Sequence, residues 1–298
     1  MVAAVVALGT FDGVHLGHQA VVRRAVVEGR RLGLSSVAAT FHPHPRSVVR
    51  PGTEPALLTP IGVRRELLLG LGVDEVVTIP FTRELSLKTP EEFVREVLVG
   101  ELDAAGVVVG ENFRFGRGAV GDVEALRRLM DGFGGRVWSV GVLEAGGEVS
   151  STRIRRAVAE GRVEEAARLL GRPFTLRGKV VEGDRRGRTI GFPTANLIPE
   201  AGVVVPGRGV YAGEAVVGRE RFGACINVGI APTFGRGVPR VEAYILDFDR
   251  DIYGWEIDVY FTHRLREEKK FGGVEELVAQ LEQDVRQARE IAAARNKS

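Results

Sequence analysis

The order of hydrophobic patterns along the chain is the strongest constraint on its fold. Up to about residue 142, short runs rich in β-branched residues alternate with amphipathic helical stretches. This alternation predicts βαβ units, and therefore a parallel sheet with helices on its faces. From Phe174 onwards, strand-like runs are separated only by Gly/Pro turns, which predicts a small antiparallel barrel or sandwich. A terminal helix follows, with an apolar stripe from Val274 to Ile291.

The predicted elements fall into three groups. The first half has strands at Val2–Leu8, Ser36–Phe41, Glu75–Ile79, Val107–Val109 and Arg136–Leu143. Its helices are expected at Gln19–Leu32, Gly62–Leu71, Glu91–Leu102 and Asp122–Phe133. Two short helices, Arg153–Glu160 and Val163–Leu170, mark the domain boundary. The strands of the second half are expected at Thr175–Val181, Gly209–Val217, Phe222–Val228, Val241–Phe248 and Trp255–Arg264.

Length and composition exclude several classes of protein. The 298 residues suffice for two domains. Lys and Arg number 41 against 39 Asp and Glu, so the net charge of +2 predicts no nucleic-acid partner. Apolar runs stay shorter than the roughly 20 residues that cross a bilayer, and the start lacks the basic flank of a signal peptide. A single cysteine, Cys225, excludes an internal disulfide and is expected to be a buried strand residue. We therefore expect a cytoplasmic protein without a membrane partner.

The loop after the first predicted strand carries the clearest chemical signal. It reads Gly-Thr-Phe-Asp-Gly-Val-His-Leu-Gly-His from Gly9 to His18. His15 and His18 are three positions apart at a helix start, so their rings share a face, and Gly17 between them lets a ligand approach the backbone. Unpaired N–H groups and the positive end of the helix dipole make such a start a cradle for a polyphosphate.

Two other interpretations of these histidines stay open. The first is that they only cap the helix. The second is a zinc site, for which His42 or His44 could supply the third ligand that zinc needs.

Three later segments accompany the histidine loop in a fixed order. They are Phe41-His42-Pro43-His44-Pro45-Arg46, Gly110-Glu111-Asn112-Phe113-Arg114-Phe115-Gly116 and Ser150-Ser151-Thr152-Arg153-Ile154-Arg155. Together the four segments resemble the nucleotidyltransferase domain of the bacterial bifunctional riboflavin kinase/FAD synthetase family. Position 42 departs from the family pattern, because it is His where an acidic residue is expected. The chain also starts directly on its first strand, without the short leader of many relatives.

The resemblance implies roles in FMN adenylyl transfer. His15 and His18 would be the catalytic pair that binds the reacting phosphates. The nucleotide would also contact residues of the loop and of a later helix start, namely Gly9, Phe11, Asp12, Gly17, Ser151, Thr152 and Arg155. The flavin would meet His44, Asn112 and Phe115. From the residues alone, Asp12 orients the loop or helps to hold magnesium, Phe115 suits the core equally well, and Ser151 and Thr152 suit a helix cap.

A glycine pattern in the same half suggests a different cofactor. Gly116 to Gly121 fits the dinucleotide signature G-x-G-x-x-G and opens a helix. That signature must follow its strand immediately, whereas six residues separate Gly116 from Val109. We therefore interpret the segment as a flexible loop that carries Arg117.

A Gly- and Arg-rich segment from Gly183 to Asn196 dominates the second half. Thr194 and Asn196 lie two apart in an extended stretch, so both oxygens point to one side and suit one hard cation. A solvated hairpin tip is the simpler interpretation. Further segments follow in order: Gly209-Val210-Tyr211-Ala212, Asn227-Val228-Gly229 with Pro232-Thr233-Phe234, Val241-Glu242-Ala243-Tyr244, and Arg264 to Phe271. Together these segments resemble the flavokinase domain of the same family.

This second resemblance implies a riboflavin kinase site. Glu242 would be the catalytic base toward the 5′-hydroxyl of riboflavin, and the strand pattern alone does not decide which side of the strand it faces. Nucleotide contacts would come from Gly183, Arg188, Gly191 and Thr194, and the metal ligands would be Thr194 and Asn196. The flavin would contact Arg266 and Phe271.

The resemblance as a whole implies a bifunctional enzyme of flavin cofactor biosynthesis. A Rossmann-like nucleotidyltransferase domain of α/β class, residues 1–158, would make FAD from FMN and ATP with release of pyrophosphate. A small antiparallel β-barrel flavokinase domain, residues 172–298, would make FMN from riboflavin and ATP. ATP is then a co-substrate, with ADP or AMP as further nucleotide ligands, Mg²⁺ is required, and no tightly bound organic cofactor is needed. A homo-oligomer stays open.

Two alternatives from other classes remain. A single-activity adenylyltransferase would keep the histidine loop, while its barrel only binds flavin. A non-enzymatic flavin carrier would need neither ATP nor magnesium.

Overall fold

The structure, a computed structural model, describes residues 3–183, 187, 190–230 and 239–295. The chain divides into two compact units, Met1–Ser151 and Thr152–Ser298.

The first unit is built on a parallel five-stranded sheet. Its strands are β1 (Ala4–Leu8), β2 (Ser35–His42), β3 (Glu75–Pro80), β4 (Ala104–Gly110) and β5 (Arg136–Val140). They lie in the order β3-β2-β1-β4-β5, and every neighbouring pair is parallel. All five residues of β1 are buried, as expected of a central strand that is covered on both faces. The predicted parallel sheet is therefore confirmed.

Helices connect these strands. They are α1 (Leu16–Leu32), α2 (Pro45–Val49), α3 (Ile61–Leu69), α4 (Arg83–Leu87), α5 (Pro90–Glu92, which continues as a π-helix over Phe93–Glu101) and α6 (Val123–Asp131). Helix α1 begins after His15 and ends at Gly33, whose φ of 68° is the left-handed conformation that glycine adopts most easily.

Two hydrophobic cores lie on opposite faces of the sheet. Val5 and Ala7 belong to one core and Val6 and Leu8 to the other, because successive side chains of a strand point to opposite faces. The sheet is thus an inner layer, and the loops after its strands are held from both sides. Those loops lie at the carboxyl ends of the strands, where open α/β sheets bind ligands.

The structure corrects several predicted boundaries in the first half. Strand β5 ends at Val140 rather than at Leu143. The short helices α2 and α4 were not predicted, because five-residue helices carry too little periodicity to be recognised. The glycine segment that we interpreted as a flexible loop contains a 3₁₀ turn over Arg117–Ala119, and the Arg117 N–H donates to the carbonyl of Lys88 at 2.7 Å.

The second unit is a closed antiparallel barrel. Its strands are β6 (Phe174–Val181), β7 (Ala195–Pro199), β8 (Gly209–Val217), β9 (Glu220–Ile230), β10 (Pro239–Ile245) and β11 (Glu256–Arg266). They close in the order β10-β7-β6-β11-β8-β9. The predicted small barrel is confirmed, but β7 was missed, since it begins inside the Gly- and Arg-rich segment at Ala195.

Three helices complete the second unit. They are α7 (Ser151–Ala159), which begins at the boundary between the units, α8 (Val163–Leu170) and α9 (Val274–Arg295). The N–H of Arg264 on β11 donates to a Glu164 carboxylate oxygen of α8 at 2.9 Å, so α8 is joined to the barrel. Helix α9 lies on the outside of the barrel, where Ala288 packs with Val210, Ala212 and Cys225.

The single cysteine is a buried strand residue, as predicted. Cys225 lies on β9 beneath α9, and burial raises the pKa of its thiol to about 12. A thiol with such a pKa stays protonated near neutral pH and is a poor nucleophile. Within the described residues, every helix is too short or too polar to span a bilayer.

Candidate active sites

The loop after β1 has an unusual backbone. Phe11 and Val14 adopt φ values of 48° and 42°, and Gly13 lies between them at 86°. Residues other than glycine seldom occupy this region, and each such position costs roughly 1–3 kcal/mol. The loop keeps this shape only if the surrounding structure holds it.

Asp12 and Arg64 fix much of the conformation of this loop. Both side chains are about 1% exposed, and Arg64 Nη2 lies 3.3 Å from Asp12 Oδ1. The Asp12 carboxylate also accepts from the N–H groups of Leu58 and Thr59 at 3.0 and 3.1 Å. Arg64 in turn donates to the carbonyl of Thr10 at 3.0 Å. Of the two roles left open for Asp12, these contacts favour orientation of the loop.

We expect Arg64→Met to destabilise the first unit by about 3–5 kcal/mol, because it leaves the buried Asp12 carboxylate without its counter-charge. The unfolding transition of this unit in urea measures the loss. Arg65→Met is the matched control, since Arg65 is the exposed neighbour whose Nη1 donates to the Val76 carbonyl at 2.8 Å. It should cost about 1 kcal/mol. Equal unfolding midpoints for Arg64→Met and the unmodified chain would refute the anchoring role.

His15 and His18 form a stacked pair at the start of α1. Their ring centroids are 3.6 Å apart with an interplanar angle of 17°. The backbone N–H of His18 donates to His15 Nδ1 at 3.3 Å, so the His15 side chain caps the helix. A Cβ at Gly17 would lie 3.2 Å from His15 Cε1, so a side chain there would crowd the rings. The capping interpretation is thus confirmed for His15, and phosphate binding by the pair stays a prediction.

Two other predicted residues of the first unit, Gly9 and Ser151, lie at the same loop. A Cβ at Gly9 would lie 2.9 Å from the ring of Phe11. Ser151 was expected to cap α7, but α7 begins at Ser151, and its hydroxyl donates to the Asp12 carbonyl at 2.9 Å. Thr152 and Arg155 follow on α7, within the second unit.

The predicted flavin contacts of the first unit differ in burial. His44 caps α2 by accepting from the Arg46 N–H at 3.1 Å, and Asn112 is exposed. Phe115 is buried and packs beside Phe93 and Phe113, with ring centroids 5.8 and 5.7 Å away. Phe115 is thus a core residue, and contact of its edge with flavin stays a prediction.

The zinc interpretation finds no support. Among the described residues, no three His, Cys, Asp or Glu side chains come close enough together to hold a metal ion. His15 and His18 therefore lack a third ligand there.

The second candidate site lies on the outer face of the barrel. Glu242 on β10 is paired in register with Asn196 on β7 and with Asn227 on β9. Tyr244, two residues further along β10, packs against the cluster beneath α9, so Glu242 faces outward as well. The Asn227 amide donates to Glu242 Oε2 at 3.3 Å. The sheet register thus brings together a carboxylate and two amides from three strands.

Arg240 is a member of this cluster that sequence reasoning missed. Its guanidinium lies 2.8 Å from Glu242 Oε1, and its Nε and Nη2 donate to Asn196 Oδ1. The alternation of β10 could have indicated it, since Arg240 and Glu242 are two apart and share a face. Asn227 belonged to a recognised segment but was not predicted as a site residue.

Gly183, the first residue of the Gly- and Arg-rich segment, lies beside this cluster. A Cβ there would overlap the Asn196 amide, so a side chain at position 183 would displace Asn196. Gly191 has a φ of 86°, which favours glycine. Arg188, a predicted nucleotide contact, lies outside the described residues, as do Pro232, Thr233 and Phe234.

Arg266 has a structural partner. Its Nε and Nη2 donate to the two carboxylate oxygens of the buried Asp284 on α9, at 3.0 and 2.7 Å. Its Cζ lies 5.8 Å from the Phe271 ring centroid. Arg266 therefore joins the end of β11 to α9, and its flavin contact stays a prediction, as does that of Phe271.

The donor set on β7 and β10 suits magnesium. Asn196 is paired in register with Glu242, Thr194 precedes Asn196 by two residues just before β7, and Mg²⁺ prefers the hydroxyl, amide and carboxylate oxygens that these residues carry.

Comparison with protein families matches both units. A family model described as FAD synthetase matches residues 2–153, and one described as riboflavin kinase matches residues 170–292. Curated relatives described as bifunctional riboflavin kinase/FMN adenylyltransferase span nearly the whole chain. The relative from Listeria monocytogenes is 41% identical over 97% of this chain and 92% of its own. Those from Bacillus subtilis and Escherichia coli are each 37% identical over 96% of this chain and cover 91% and 92% of their own.

A solved structure shares the fold. It is described as a macrolide-efflux protein from Streptococcus pneumoniae, is 36% identical, and covers 96% of this chain and 94% of its own with a TM-score of 0.88. Its description names efflux, whereas both family models and the curated relatives name flavin enzymes.

Proposed function

The chain belongs to the bifunctional riboflavin kinase/FMN adenylyltransferase family, and on that premise we propose which residues of each unit carry out each reaction. The C-terminal unit phosphorylates riboflavin with ATP to give FMN, and the N-terminal unit joins FMN to the adenylyl group of ATP to give FAD. The chain is therefore an enzyme of flavin cofactor biosynthesis with ATP as co-substrate of both steps.

The stacked histidine pair supports the adenylyl-transfer assignment. A phosphate oxygen of FMN attacks the α-phosphorus of ATP, the bond from that phosphorus to the bridging oxygen breaks, and pyrophosphate leaves. Negative charge grows on the leaving group, so catalysis consists of positioning and electrostatic stabilisation. In this proposal the His15 and His18 rings and the start of α1 contact these oxygens, and the stacking of the two rings at a helix N-terminus supports it. Gly9, Phe11 and Asp12 shape the loop, and Ser151, Thr152 and Arg155 bind the far phosphates.

The register of β7, β9 and β10 supports the kinase assignment. Glu242 accepts the proton of the riboflavin 5′-hydroxyl, whose oxygen then attacks the γ-phosphorus of ATP while ADP leaves. Asn227 orients the carboxylate through Oε2. Thr194 and Asn196 would hold Mg²⁺, which when bound would neutralise negative charge on the phosphates of ATP. Gly183, Arg188 and Gly191 bind the nucleotide, and Arg266 and Phe271 lie toward the flavin.

Several finer statements belong to the same proposal. The catalytic domains extend over residues 1–158 and 172–298, and Mg²⁺ is the metal. The cytoplasm is the proposed compartment, because ATP is abundant there and the single buried cysteine needs no oxidising environment. His44, Asn112 and Phe115 form the flavin side of the N-terminal site.

A time course tests the proposed function. The purified chain is incubated with riboflavin and Mg-ATP, and riboflavin, FMN, FAD and pyrophosphate are quantified. We expect FMN to appear first and FAD to follow with one equivalent of pyrophosphate. Omission of magnesium should stop FMN formation. Accumulation of FMN without FAD would contradict adenylyl transfer. If the chain converts supplied FMN to FAD but makes no FMN from riboflavin, it is a single-activity adenylyltransferase.

A further inference from the structure

A side-chain cation lies at the centre of the kinase cluster. Arg240 Nε and Nη2 donate to Asn196 Oδ1 at 3.0 and 2.9 Å. An amide oxygen has two lone pairs, so these two N–H groups use its full capacity as an acceptor. Nη2 also lies 2.8 Å from Glu242 Oε1. Arg240 therefore joins the proposed metal ligand to the proposed base.

This arrangement excludes simultaneous binding of a metal ion in the same geometry. A divalent cation on Asn196 Oδ1 would need a lone pair that Arg240 now occupies, and it would lie within a few ångströms of the guanidinium charge. The side chains of Arg240 and Glu242 are only 22% and 21% exposed, so solvent screens that repulsion incompletely.

The packing indicates which of the two side chains moves. A Cβ built on Gly183 would overlap the Asn196 amide, so the chain at Gly183 passes close to one side of that amide and narrows the space for its rotation. Arg240 is long and flexible, and it reaches Asn196 across the strand pair from β10. Separation of the two groups is therefore expected to displace the guanidinium and to leave Asn196 in place.

We propose that Arg240 is a positioning residue that competes with the divalent cation for Asn196 Oδ1. In the nucleotide-free chain its guanidinium keeps Asn196 and Glu242 oriented, and it releases Asn196 when the cation binds. This inference rests on the proposed function, because it takes Asn196 as a metal ligand.

Binding of Mn²⁺ alone to the full chain, measured by electron paramagnetic resonance without nucleotide or flavin, tests the competition. The Mn²⁺ ions that bind at the proposed site are those whose binding is lost in Asn196→Ala. We expect Arg240→Met to bind Mn²⁺ at that site about tenfold more tightly than the unmodified chain, since a neighbouring positive charge and two competing donors are lost. Arg240→Lys keeps the charge but not the two-pronged contact, and should gain a few-fold.

Arg221→Met is the matched control. Arg221 forms an ion pair with Glu214 elsewhere on the barrel, so its loss removes the same charge without touching Asn196. Its Mn²⁺ affinity should stay within about twofold of the unmodified chain. Thermal unfolding shows whether the barrel of each variant is folded. If Arg240→Met does not fold, the comparison of Arg240→Lys with the unmodified chain tests the competition.

The outcomes separate the inference from its premise. Mn²⁺ binding that depends on Asn196 but is unchanged or weaker in the folded Arg240 variants would overturn the competition and leave the metal assignment standing. If no variant binds Mn²⁺ in a way that Asn196→Ala removes, both the competition and the assignment of Asn196 as a ligand are wrong.

Discussion

A chain carrying both His15→Ala and His18→Ala is expected to convert riboflavin to FMN at the normal rate and to stop there. The two imidazoles are the side chains stacked at the start of α1, where charge on the leaving pyrophosphate must be stabilised. Loss of one such donor typically costs about 10²–10³ in rate, so loss of both should reduce FAD formation at least 10³-fold. Separation of riboflavin, FMN and FAD over time measures both steps in the same sample.

The cap made by His15 requires a second variant. His15→Ala removes the acceptor for the His18 N–H and could fray α1, whereas His15→Asn retains a good helix cap. A pair of His15→Asn and His18→Ala should therefore unfold near the normal midpoint and still stop at FMN. His263→Ala, which changes an exposed histidine of the barrel, should leave both steps unchanged. FAD formation at the normal rate in the folded pair would reject the histidine assignment.

Glu242→Ala is expected to give the reverse result. Removal of the proposed base should lower FMN formation by about 10²–10⁴, the usual contribution of general-base catalysis, while supplied FMN is still converted to FAD. Glu242→Gln should be equally inactive, because an amide keeps the shape and the contact with Asn227 but cannot take up the proton. Initial rates with riboflavin and with FMN as alternative substrates measure the two effects.

Glu220→Ala is the control for this experiment. Glu220 is a half-exposed barrel glutamate whose ion pair with Arg250 lies outside the cluster, so both rates should be retained. If Glu242→Ala or the histidine pair lost both steps equally while folded, the division of the two reactions between the two units would be wrong.

The two halves of the chain were predictable from different kinds of signal. Alternation of apolar strands and helices identified the parallel sheet, because a strand covered on both faces must be apolar along its length, as β1 is. Helices α2 and α4 were missed because five residues show no resolvable helical period, and β7 was missed because it begins inside the Gly- and Arg-rich segment. The histidine loop was recognised because its spacing alone puts two rings on one face of a helix.

The candidate sites were predictable as residue types and not as contacts. The sequence singled out His15, His18, Thr194, Asn196 and Glu242 as candidate site residues. Their spacing and the motifs that contain them can both be recognised within short stretches of the chain. Only the tertiary structure decided that Asp12 faces a buried arginine 52 positions away, that Glu242 points outward, and that Arg240 holds both Glu242 and Asn196. The physical reason is that strand register and loop packing join residues far apart in sequence, and no local pattern records which partners they bring together.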